Sequence, residues 1–177
     1  MATNVEQVDR APEEALDSGR NTRVVIAGLR IAVALLWIQN VNWKLPPDFV
    51  RLRQFTRYAV DYPVVPPFSW IVEHVVLTNF TLFGYVTLLT EFSLGAFLLA
   101  GLFTRLWAAI GILQTLAITM SVLNAPHEWH WSYYLMIAAH VVLIATAAGR
   151  VAGLDGLLRQ RWRTSSNPLA KLALRAS

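Results

Sequence analysis

The chain has 177 residues, of which 55% are hydrophobic and 15% charged, where a soluble domain carries about 25% charged residues. That balance excludes an ordinary soluble enzyme and a disordered chain, and a formal charge of only +4 speaks against nucleic acid as a partner. With no cysteine, disulfides, thiolate nucleophiles, iron–sulfur clusters and Cys-ligated zinc are all excluded.

Residues 1–23 are polar and mixed in charge, with Glu6, Asp9, Arg10, Glu13, Glu14, Asp17, Arg20 and Arg23. They read as a solvated tail, because the charged stretch is too long for a secretory leader and no cleavage site follows a short apolar core. The first apolar span runs from Val24 to Trp43, with Arg30 its only charge. About 20 residues at about 1.5 Å each cross a hydrocarbon core of about 30 Å. In the connection that follows, two Pro-Pro pairs bracket Arg51, Arg53 and Arg57, interleaved with Phe49, Leu52, Phe55 and Tyr58. This pattern predicts a short helix on the membrane surface, and Trp70 to Thr78 predicts a second helical stretch at the interface. Three more spans follow: Phe80–Gly101, Leu106–Leu123 and Trp131–Ala148. Their connections, GLFTR and NAPHEWHW, are short enough to require antiparallel neighbours. The basic stretch 159–177, with Trp162, lies on anionic lipid or is a solvated tail. The expected fold is an all-α integral membrane protein. A four-transmembrane-helix bundle occupies residues 24–158, with one or two interfacial helices in the first outer loop and tails over 1–23 and 159–177.

Four spans leave both termini on one side. Arg10, Arg20, Arg23, Arg105, Arg150, Arg159, Arg161, Arg163, Lys171 and Arg175 fall there, against Lys44, Arg51, Arg53 and Arg57 opposite. The positive-inside rule therefore predicts cytoplasmic termini, with Trp129, Trp131, Tyr133 and Tyr134 at the outer interface. Arg- and Ala-rich usage fits a GC-rich bacterial genome, and hence an inner (plasma) membrane.

Ionisable groups at membrane depth are costly and point to function. Glu91, Gln114 and His140 fall at roughly 14–15 Å from the cytoplasmic ends of their spans. Arg30 lies roughly 10 Å deep, and its long side chain is expected to reach Glu91 as a buried ion pair. This layer has two readings: interhelical polar contacts that hold the bundle, or a site where Glu91 or His140 exchanges protons with a bound quinone. Trp43 and Lys44, with Gln39, Asn40 and Asn42, fall where the first span meets the outer surface. They form a membrane anchor with Lys44 snorkelling to headgroups, or with Arg51–Arg57 they attract an anion to the outer mouth. His127, Glu128 and His130 form only a weak His-x-x-His match with no further ligand in the loop, so no metal is expected. His74 and His140 lie at different depths, so no haem is expected.

The span LRIAVALLWIQNVNWKL, the long connection after it, LLTEFSLGAFLLAGLFTRLWAAIG and AAGRVAGLD together resemble the DoxX/DoxD family. The resemblance covers Val24 to Leu158, and it is closest to the DoxD-like membrane subunit of thiosulfate:quinone oxidoreductase. Arg30, Lys44, Glu91, Arg105, Gly149 and Asp155 are the family-like positions. The resemblance implies a membrane subunit passing electrons from a sulfur compound such as thiosulfate to the quinone pool, with a second subunit taking part. Glu91, His140 and Arg30 would then be catalytic, and Lys44, Trp43, Arg105 and Gln114 would bind substrate. Quinone is the expected co-substrate, and lipids and a protein subunit the expected partners. The alternative is a non-catalytic accessory or scaffolding subunit of a larger membrane complex. A transporter is a weaker third reading, since no inverted repeat is apparent.

Overall fold

The computed structural model describes the backbone of residues 5–177 and side chains from Gly19 onward. The reading of residues 1–23 as a solvated tail falls mostly outside the described side chains. In chain order the helices are α1 (Val5–Val41), α2 (Val50–Asp61), α3 (Pro66–Ile71), a π-helical turn (Val72–Val76), α4 (Phe80–Ala100), α5 (Thr104–Val122), α6 (His130–Thr146), a 3₁₀ turn (Ala148–Arg150), α7 (Leu154–Thr164) and α8 (Pro168–Ala176). No strand occurs among the described residues.

Gly19–Val41, α4 and α5 are long and apolar enough to cross a membrane, whereas α6 is apolar but has only 17 residues. Of the apolar windows of these three stretches, only 22–28% is buried inside the protein. Leu82, Leu89, Leu113 and Leu135 are each more than 60% exposed. Helices that are apolar all round and outwardly unpaired need acyl chains to cover them, so the chain is a membrane protein.

Small residues set the register of the packing. A Cβ at Gly95 would collide with Ile38 and crowd the Ala34 carbonyl, so Gly95 lets α1 and α4 approach backbone to backbone. Gly111 does the same for α5 against the His140 ring of α6. Val33, Ala34, Trp37, Leu94, Leu98, Ala108, Leu143 and Ala148 fill the shared core.

The α1–α4 register has a consequence for depth. Arg30 is level with Leu98 and Leu99, Ala34 and Ile38 with Gly95, and Asn40 with Glu91. The first helix therefore ends near the middle of α4. Phe49 packs on Gly84 farther out, and α2 lies against α4 and α5 in the space that α1 leaves. The helix expected after the first Pro-Pro pair thus forms, with Leu52 and Ala59 inward and Arg51, Arg53 and Arg57 exposed.

At the other end, α4 closes on Gly101 in the left-handed region (φ 65°). Leu102 N donates to Phe97 O at 3.0 Å and Gly101 N to Leu98 O at 3.2 Å, the Schellman pattern that glycine permits. Helix α7 runs through residues 158 and 159, and α8 packs on α5 and α7.

Gly95→Leu should push α1 off α4 and cost about 1–3 kcal/mol, seen as a lowered thermal midpoint in detergent. Gly28→Leu on α1, where a Cβ meets nothing within 4 Å, should leave the midpoint unchanged.

Candidate functional site

The polar centre of the molecule is an ion pair between Lys44 and Glu91, Nζ to Oε2 2.6 Å, with side-chain exposures of 2% and 0%. Glu91 sits near the middle of α4, and each of its oxygens is bonded. Asn40 Nδ2 donates to Oε2 at 3.2 Å, and Gln114 Nε2 of α5 to Oε1 at 3.1 Å. Lys44 lies just past the end of α1 and folds back, so Nζ also donates to Asn40 O at 2.7 Å. The ammonium lies 4.2 Å from the centre of the Trp43 ring, a favourable cation–π distance. Trp43 Nε1 donates to Asn40 Oδ1 at 3.1 Å. Two opposite charges out of water are tolerated only with such complete hydrogen bonding.

This cluster forms the floor of a cavity of about 700 Å³, within the range of small-molecule sites. Its walls are largely apolar, from Leu52 and Phe55 of α2, Val72 and Val76 of the π-helical turn, and Phe80 and Phe83 of α4. Ile118 and Met136 close it from α5 and α6. Leu36, Gln39 and Ser132 both line the cavity and are exposed, so they mark a mouth between α1 and α6. The cavity exists because α1 stops short and α2 does not fill all the space beside it.

The structure brings Trp43, Lys44, Glu91 and Gln114 together and separates the other expected site residues from them. Arg30 does not pair with Glu91. Its guanidinium turns to the end where α4 meets α5; there Nη1 donates to Leu98 O at 2.5 Å and Leu99 O at 2.7 Å, and Nη2 to Ala152 O at 3.0 Å. Ten residues of helix, about 15 Å, separate it from Asn40, and the carbonyls ending α4 need a donor nearer by. Nor is Lys44 a headgroup anchor at the outer surface, because α1 ends at mid-depth. His140 is fully buried and does not line the cavity. Trp37 stands between them, its Nε1 donating to His140 Nε2 at 3.0 Å. Indole is only a donor, so Nε2 accepts, and Nδ1–H donates to Met136 O at 2.7 Å. Arg105 is half-buried in the first turn of α5, beside Arg150 and away from the cavity.

Asn40, which the sequence grouped with Trp43 and Lys44 at the end of the first span, lines the cavity, and so does Trp37, which carried no site role in the sequence reading. Asn40 was detectable as the residue one helical turn before Lys44. Asp155 caps α5 through both carboxylate oxygens. Its Oδ1 accepts from Phe103 N at 2.7 Å and its Oδ2 from Thr104 N at 2.9 Å. Among the described residues, no three His, Asp or Glu side chains gather where a metal ion would sit.

The DoxD family profile, described as TQO small subunit DoxD, matches residues 26–175. The chain belongs to the DoxD family. The match includes both α7 and α8, and so extends beyond the residues that carried the resemblance in the sequence. No solved structure matches the chain.

The geometry of the floor predicts a coupled response. Lys44→Met alone should lower stability by about 3 kcal/mol, because it strands the Glu91 carboxylate in the interior. Adding Glu91→Gln should recover most of that loss, with thermal unfolding of the detergent-solubilised proteins as the measurement.

Proposed function

We propose that this DoxD-family chain is the membrane subunit of a thiosulfate:quinone oxidoreductase-type complex, and that its cavity takes the quinone headgroup. The observation that carries this reading is the combination of apolar walls with one buried, fully hydrogen-bonded charged floor. A quinone is a flat apolar ring with acceptors only at its two carbonyl oxygens, so it needs little polar lining. The mouth between α1 and α6 supports access for an isoprenoid tail from the bilayer. In this reading α6 crosses as a fourth span, both termini are cytoplasmic and the complex lies in a bacterial inner membrane, as the basic inner side supports.

The chemistry divides between this chain and a partner. Joining two thiosulfate ions into tetrathionate forms one sulfur–sulfur bond and releases two electrons. Reducing a quinone to a quinol takes up two electrons and two protons. This chain has no cysteine and forms no persulfide of its own, so the sulfur step falls to a partner subunit. Lys44 and Gln114 are N–H donors for a carbonyl oxygen at the floor, and Glu91 is the carboxylate through which protons reach it. Glu91 already neutralises Lys44, so Lys44 serves the uncharged headgroup. The exposed Arg51, Arg53 and Arg57 are better suited to attract an anion.

A second reading, a non-catalytic accessory subunit, has one observation in its favour. Lys44, Asn40 and Gln114 occupy both oxygens of Glu91, as a purely structural pair requires.

The two readings separate in the Lys44→Met/Glu91→Gln double variant, assembled with its native partners and normalised to abundance. Loss of thiosulfate-dependent quinone reduction by about 100-fold or more is the expected outcome. An unchanged rate per assembled complex would refute the quinone assignment and support the accessory reading.

A further inference from the structure

The two C-terminal helices present a surface that the cavity does not explain. Between Gly149 and Ser177 stand six basic residues and one acidic side chain, the carboxylate of Asp155. That carboxylate is buried and holds the Phe103 and Thr104 amides. Arg150 Nη2 and Arg159 Nη1 converge on Ser177, at 2.9 Å to its O and 3.1 Å to its Oγ. Burial, then Arg159 and Arg105, lower the Arg150 pKa, so the cations crowd one another. Arg161, Arg163, Lys171 and Arg175 are exposed and have no ion-pair partner among the described residues.

Helix α8 divides into three faces. Ala170 packs inward. Leu169 and Leu172, three apart, are 69% and 59% exposed. Lys171 and Arg175, four apart, form the basic face. On α7, Leu157 is 75% exposed, beside Arg161 one turn on. The ring of Trp162 stacks on Phe103, 5.6 Å between centroids, and fixes α7 against the inner end of the spans. Exposed leucines next to unpaired cations, at the end of membrane-crossing helices, are the pattern of a helix embedded in the headgroup layer. A purely solvated tail has no use for the leucines, and a free anion has none either.

We propose that α7 and α8 form a docking platform for anionic phospholipid, in which Arg161, Arg163, Lys171 and Arg175 hold headgroup phosphates and Leu157, Leu169 and Leu172 enter the acyl layer. The platform is independent of the quinone reading, since none of its residues lines the cavity.

The test uses the full-length protein in detergent, with phosphatidylglycerol and phosphatidylcholine offered at equal concentration and retained lipid read by native mass spectrometry. Phosphatidylglycerol should be retained at least about tenfold better, with the preference falling as salt rises. Replacing all four cations by Gln should abolish the preference, whereas Arg51→Gln/Arg53→Gln/Arg57→Gln on the outer side should keep it. Leu169→Gln/Leu172→Gln should weaken phosphatidylglycerol retention without any change of charge, and it serves as the independent variant if the fourfold change prevents folding. Equal retention of the two lipids by the wild type would overturn the proposal. So would displacement of phosphatidylglycerol by millimolar inorganic phosphate, which would mark a free-anion site. A fourfold variant that keeps its lipid preference but sheds a protein from the native complex would assign the surface to an acidic partner instead.

Discussion

The buried Lys44–Glu91 pair is the interaction on which the half of the molecule around α2 depends. Each charge taken out of water costs several kcal/mol, and the cost is met only when every lone pair and proton has a partner. That requirement shapes the backbone. Lys44 bonds both Glu91 and the Asn40 carbonyl, which it can do because the helix ends at Val41 and the chain folds back. With α1 ended at mid-depth, α4 needs another neighbour farther out, and Phe49 and α2 provide it at Gly84. The space between that replacement helix, α5 and α6 is the cavity. The charged floor and the room above it therefore have one origin.

The opposite end, where α4 turns into α5, solves a different problem with the same physics. The tight turn between α4 and α5 places the last carbonyls of one helix beside the first amides of the next. Inside or near a bilayer these groups have little water to turn to. Arg30 donates to the carbonyls and Asp155 accepts from the amides, each charge matching the sign of the helix terminus it meets. Close packing depends on glycine here. A Cβ at Gly149 would overlap Thr104 Oγ1 and Asp155 Oδ2. Arg30 and Asp155 therefore tie helix ends together at the α4–α5 turn, while Lys44 and Glu91 meet in the cavity floor.

His140 shows how burial separates chemistry from architecture. By sequence it shares a depth with Glu91 and Gln114. In the fold, Trp37 lies between it and the cavity, and both ring nitrogens are engaged. The imidazole anchors an indole that forms part of the cavity wall, so its contribution passes through Trp37.

The helical class, the apolar stretches and their approximate limits were all legible in the sequence, because they rest on local composition and on period. So was the shared depth of Glu91 and Gln114, since a short turn between α4 and α5 forces the two helices to run side by side. The partner of Glu91 was not legible. Depth counted along each span assumes that all spans begin and end at the same planes, and α1 does not. Its offset against α4 is decided by the close approach at Gly95 and by the carbonyls that Arg30 must reach, both contacts between residues more than 50 positions apart. Composition along the chain determined which residues belong in a membrane. Only the tertiary structure decided which buried cation meets which buried anion, because in a low-dielectric interior a pair forms only where packing brings its two members within hydrogen-bonding reach.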